Sequence, residues 1–139
     1  MFEYLEKRKV YLVYAPLIVY WIMLFIATTL PASNLPSVAV SDKIKHFGAF
    51  FGLSVLLSLT LIYQNKVLLF KKYFLVSALV ISSIYGLLDE IHQSFVPGRN
   101  SEFLDWVADS LGASAGVFIV SYLLNKFKYF PKPVNNFRE

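Results

Sequence analysis

The chain has 139 residues, enough for one compact domain, and it contains no cysteine, which excludes disulfides and thiolate chemistry. Apolar residues make up 57% and charged residues 16%, against about 25% charged in an average soluble domain. The net charge of +4 does not point to nucleic acid, because the basic residues flank apolar segments and so read as an orientation signal.

Four apolar stretches follow one another, and the spacing predicts membrane spans over residues 10–30, 43–63, 72–93 and 103–125. A bilayer core of about 30 Å needs about 20 helical residues. The first and fourth stretches meet that directly. The second and third meet it when their polar ends, at Ser41 to His46 and Asp89 to Gln93, are counted as helix. None of the first three carries the charged stripe of a soluble core helix. The first stretch follows Lys7, Arg8 and Lys9 and precedes Ala32 and Ser33, as a secretory signal would. Its apolar run exceeds the about 7–15 residues of a signal core, so an uncleaved span is expected. Pro16 should kink this helix or sit near its first turn. The expected fold is all-α: an integral membrane four-helix bundle forming a single domain, with a basic tail at 126–139. Short connections make sequential helices antiparallel neighbours.

Orientation comes from lysine and arginine. Ten of the thirteen lie in the N-terminal tail, the middle connection and the C-terminal tail, the last holding Lys126, Lys128, Lys132 and Arg138. Lys43, Lys45 and Arg99 are the other three. The positive-inside bias therefore places both termini in the cytoplasm.

Six acids (Asp42, Asp89, Glu90, Glu102, Asp105 and Asp109) and both histidines, His46 and His92, then gather at the outer ends of the helices. Ionisable groups near hydrocarbon are costly and tend to face a bundle interior or a polar cavity. Asp42 and His46 are four apart, as are Asp89 and Gln93, and Asp105 and Asp109, so each pair can share one helix face. Gly112 and Gly116 continue the Asp109 face, and small residues at that spacing permit close helix approach. Capping and the helix dipole also account for Asp42, Glu102 and Asp105, which sit where helices begin. His92 suits the headgroup layer, and Pro97 with Gly98 makes a turn. Asp109 lies about one turn, or about 6 Å, deeper than Asp105 and must be protonated, paired or hydrogen-bonded. With neutral histidines, six acids against three cations leave −3 at this end. Protonated carboxylates, a bound cation or exposure to water would each balance that. No HExxH or comparable ligand spacing is present, so no metal ligand and no cofactor is assigned.

The strings DKIKHF at residues 42–47 and YGLLDEIHQSFVPGRNSEFLDWVADSLGASAG at residues 85–116, with four spans in this order, resemble the VanZ-like family. The shared elements are a D-K-x-x-H-F start to the second span, D-E-x-x-Q before a P-G-R turn, and an acid followed by a small-residue helix. Family members often carry Asn where this chain has Asp109, so a role resting on a neutral amide there does not carry over. The resemblance implies a bacterial cytoplasmic-membrane protein of the cell envelope, in a family whose founding member is associated with reduced susceptibility to teicoplanin. It implies no reaction.

Two classes of function fit these residues. A binding or modulating protein would engage membrane lipid, a lipid-linked cell-wall precursor or a glycopeptide antibiotic through Asp42, Lys43, His46, Asp89, Glu90, Gln93, Arg99, Asp105 and Asp109. Arginine suits bidentate phosphate recognition, unless Arg99 instead clamps Asp89, Glu90 or Asp105. An enzyme acting on a lipid-linked phosphate compound would take its general acid or base from His46, Asp89, Glu90 and Asp105. No cysteine or Gly-flanked serine nucleophile is present.

Overall fold

The computed structural model describes residues 2–31 and 41–129. Ala32, Ser33, Lys132 and Arg138 lie outside the described residues. The described chain is helical throughout: α1 (Phe2–Lys7), α2 (Val10–Thr29), α3 (Asp42–Tyr63), α4 (Leu68–Lys72), α5 (Phe74–Gln93) and α6 (Phe103–Lys126). Helices α2, α3, α5 and α6 are long and apolar enough to cross a membrane. They match the four expected spans to within two residues at each end. The short α4 ends on Lys71 and Lys72 and was not anticipated.

Proline decides how α2 starts. Val10–Tyr14 form a π-turn and the α-helical register begins at Ala15, with Pro16 in its first turn. Proline lacks the N–H that would bond four residues back, and its ring crowds that carbonyl. The wider π-turn just before it accommodates both effects.

The molecule buries a set of polar groups beside its apolar core and is apolar on the outside. Asp109 and Ser82 are fully buried, and Asp89, Glu90, Gln93 and Asp105 nearly so. Ile22, Met23 and Ile26 of α2, Val76, Val80 and Ile84 of α5, and Leu111 and Phe118 of α6 face outward. An apolar girdle of this size on single-chain helices fits lipid as the surrounding solvent.

Helices α3 and α6 make the most intimate contact, although the second and fourth spans are not sequential. They run parallel, since Lys43 meets Asp105, His46 meets Asp109, and Phe47 lies against Gly112. A Cβ on Gly112 would fall on the Phe47 carbonyl, and one on Gly116 would meet the Phe51 carbonyl oxygen at 2.6 Å. The absent side chains therefore let two backbones touch, as small residues do between membrane helices. Helix α5 packs on both, while α2 packs less closely on this three-helix core. Sequential long helices do pack as neighbours, as expected, and the small-residue face adds the closer contact between α3 and α6.

Two ends result. Helices α2 and α5 finish, and α3 and α6 begin, at the end holding the acids. At the other end Lys9 Nζ donates to the Tyr63 carbonyl at 3.1 Å, beside the remaining described basic residues.

Candidate functional site

The acidic end is organised around one pair. His46 Nδ1 on α3 lies 2.9 Å from Asp109 Oδ1 on α6 and 3.8 Å from Glu90 Oε1 on α5. Asp109 is thus paired with a base, one of the three states its depth demanded. Three helices meet here because each offers a reason to approach. Gly112 lets α6 close on α3, and Gly86 on α5 leaves room for the Asp109 side chain. A Cβ at Gly86 would sit 2.9 Å from Asp109 Oδ2.

Glu90 has a second task. Its Oε2 accepts the backbone N–H of Glu102 at 2.9 Å. This bond serves the start of α6, where the N-cap residue makes no side-chain cap bond of its own. A carboxylate beside a helix N-terminus is favourable there. Lys43 reaches across from α3 to Glu102 at 2.9 Å and to Asp105 at 3.2 Å. Asp105 is therefore held by an ion pair as well as by its place in the first turn.

A cavity of about 210 Å³ opens beside this cluster. Its polar lining is Thr28, Asp42, Lys45, His46, Asp89, Gln93 and Arg99. Its apolar lining includes Leu24, Ala49, Phe50 and Tyr85. Five of the nine sequence-assigned ligand residues thus reach one cavity. Asp89 and Gln93 hold each other at 3.0 Å. Asp42 is largely exposed and pairs with Lys45 at 2.9 Å. Lys43, Glu90, Asp105 and Asp109 do not line it. Among the catalytic candidates, His46 and Asp89 reach the cavity, and Glu90 and Asp105 stand behind it.

Arg99 is placed by its turn. Pro97 and Gly98 precede it, Gly98 has φ 75°, and the Arg99 N–H donates to the Val96 carbonyl at 3.1 Å. A positive φ at the third turn position suits glycine. The guanidinium does not clamp Asp89, Glu90 or Asp105, as one expectation had it. Its Nε donates to the Leu30 carbonyl at 3.3 Å and an Nη donates to the Ala27 carbonyl. The last carbonyls of a helix lack intrahelical partners and carry the negative end of its dipole, so a cation is well placed there. Asp105, meanwhile, is already paired with Lys43. Arg99 thus ties the α5–α6 turn to the end of α2.

His92 also does more than rest at the surface. Its Nε2 lies 3.2 Å from Thr29 Oγ1, and its ring packs against Phe25, again fastening α5 to α2. Sequence reasoning missed further ties: Tyr20 OH donates to the Ala49 carbonyl at 2.9 Å, Trp106 Nε1 donates to the Ser83 carbonyl at 3.0 Å, and the Ser83 and Ser110 hydroxyls bond at 2.9 Å. The available signal was a polar-tipped aromatic or a hydroxyl inside an apolar span, which needs a partner wherever it is buried.

The arrangement can do two things. It can hold an amphiphile, since the cavity lining combines charged and hydrogen-bonding groups with apolar side chains. It can also hold a proton or a cation among His46, Glu90 and Asp109, the three described groups whose donor atoms all lie within 4.8 Å of one another. These come from three helices, so no local ligand spacing announces them.

Comparison with known families finds a match: a family model described as VanZ/LLP1 covers residues 9–125. Comparison with the curated proteins and with the solved structures returns no significant match.

Proposed function

The chain belongs to the VanZ/LLP1 family, and from that premise and the site geometry we propose that it binds an anionic lipid or a lipid-linked cell-envelope component at the outer face of a bacterial cytoplasmic membrane. The observation that carries this reading is the mixed polar and apolar lining of the cavity. Lys45 and Arg99 are among its polar groups, and Leu24, Ala49, Phe50 and Tyr85 among its apolar ones. A headgroup phosphate fits the first, and the start of an acyl or prenyl chain fits the second. Arg99 spends Nε and one Nη on helix carbonyls. Its other Nη has no hydrogen bond among the described residues, so the guanidinium can be braced and still face an anion. The positive-inside distribution of the remaining lysines supports the outward placement. Among amphiphiles of that leaflet, a lipid-linked cell-wall precursor would connect such a protein to teicoplanin susceptibility; the glycopeptide itself is the other ligand to try.

A second reading has its own observation. His46 at the cavity wall is held through one ring nitrogen by the buried Asp109, an arrangement that orients imidazole for general acid–base work on a lipid-linked phosphate compound.

Mass spectrometry of lipids copurifying with the protein separates the two. Binding predicts an intact anionic lipid enriched over the bulk membrane and depleted in Arg99→Ala. Recovery of a cleaved or transferred headgroup, lost in His46→Gln, supports the enzyme instead. An unenriched lipid profile, unchanged in Arg99→Ala, refutes the binding reading.

A further inference from the structure

Behind the cavity wall lie two buried carboxylate oxygens with nothing to accept from. Glu90 Oε1 and Asp109 Oδ2 have no hydrogen-bond partner among the described residues. Their residues are 4% and 0% exposed. Each partner oxygen is already used, Glu90 Oε2 by the Glu102 N–H and Asp109 Oδ1 by His46. Buried acceptors are normally satisfied, so Glu90 Oε1, which stands 3.8 Å from His46 Nδ1 with no donor of its own, calls for an occupant. Once His46 gives up its proton, as a metal ligand must, the two carboxylates leave −2 at a point enclosed by three helices. Lys43 compensates Asp105 and Glu102 rather than these two.

We propose that His46, Glu90 and Asp109 bind one divalent transition-metal ion of the zinc type. The donors fit in number, kind and position. One imidazole nitrogen with two carboxylate oxygens suits zinc better than magnesium or calcium, which prefer oxygen alone. Bonds of about 2.0–2.1 Å in a tetrahedron separate neighbouring donors by about 3.3 Å. His46 Nδ1 stands 2.9 Å from Asp109 Oδ1 and 3.8 Å from Glu90 Oε1, on either side of that value. The ion would replace the proton shared by His46 and Asp109, and its charge would cancel the −2. Gly86 leaves open the volume that the Asp109 carboxylate occupies. His46 forms part of the cavity wall, so a cation arriving past Asp42 and Asp89 meets the site from that side. Three protein ligands leave a fourth position for water or for an oxygen of a cavity ligand. The ion site stands apart from the lipid reading, since Arg99 and Lys45 contribute nothing to it.

The experiment is titration of the chelator-stripped, detergent-purified full chain with Zn²⁺ by calorimetry, with Co²⁺ visible spectra as a second readout. The expected result is one saturable equivalent and a Co²⁺ spectrum with imidazole and carboxylate character. Even outer partners of metal ligands change affinity by about 10–100-fold. Asp109→Asn and Glu90→Gln, close in shape to the native side chains, should each weaken binding by more than about a hundredfold. Asp42→Asn and Arg99→Ala should leave it intact. Should His46→Ala fail to fold, the two amide variants decide the question. Absence of a saturable equivalent, or binding unchanged in both amide variants, overturns the proposal.

Discussion

Replacing Gly112 by alanine tests the helix contact on which the acidic end depends. The added Cβ would lie 2.9 Å from the Phe47 carbonyl carbon and 3.0 Å from its Cα, against 3.4 Å where ordinary contact begins, and closer still to the carbonyl oxygen. The obstacle is backbone, so no rotamer change relieves it, and α3 and α6 must part by about half an ångström or more. Overpacking of this kind costs about 1–3 kcal/mol. Gly to Ala within a helix returns about 1 kcal/mol of propensity. The loss of the adjoining His46–Asp109 bond, one residue before Phe47 and three before Gly112, adds about 1–3 kcal/mol because a buried charge loses its partner. The net expectation is a destabilisation of about 1–5 kcal/mol. Gly48→Ala is the matched control, since a Cβ there meets nothing within 4 Å. It should be neutral or gain up to about 1 kcal/mol from propensity alone. Reversible unfolding of both variants in mixed micelles reads the difference. If the two variants unfold alike, the backbone contact between α3 and α6 is refuted.

Two further perturbations follow from the same frame. The protein lacks cysteine, so a single cysteine at Asn65 reports cleanly, and it should react with a membrane-impermeant maleimide only after the inner face is exposed; labelling of intact cells would invert the topology. His46→Ala should cost about 3–5 kcal/mol by stranding the buried Asp109 charge, and adding Asp109→Asn should recover part of that loss in the same unfolding assay; equal stability of the single and double variants would refute the ion pair.

The spans, their polar ends and the family were legible from the residues alone. Length and hydropathy are one-dimensional quantities, and a bilayer imposes them on each helix separately. The inward face of α6 was legible too, because Asp105, Asp109, Gly112 and Gly116 recur at helical spacing and both carboxylates and glycines have reason to leave lipid. The Pro97–Gly98 turn was written locally and formed as expected.

Partners across helices were not legible. His46 and Asp109 lie 63 residues apart, and periodicity states which residues share a face without stating which helix that face meets. Rotation and axial offset between helices are decided by how closely the backbones fit. The glycine seam joined α3 to α6 in parallel, and this brought Lys43 to Asp105 and left Arg99 to find the carbonyl ends of α2. It also set Glu90 beside His46, because α5 packs against both helices of the seam. The residue types at the acidic end follow from sequence. Their assembly into a triad behind an amphipathic cavity follows from three-dimensional packing, where a missing Cβ at Gly86, Gly112 and Gly116 sets the distances on which binding chemistry depends.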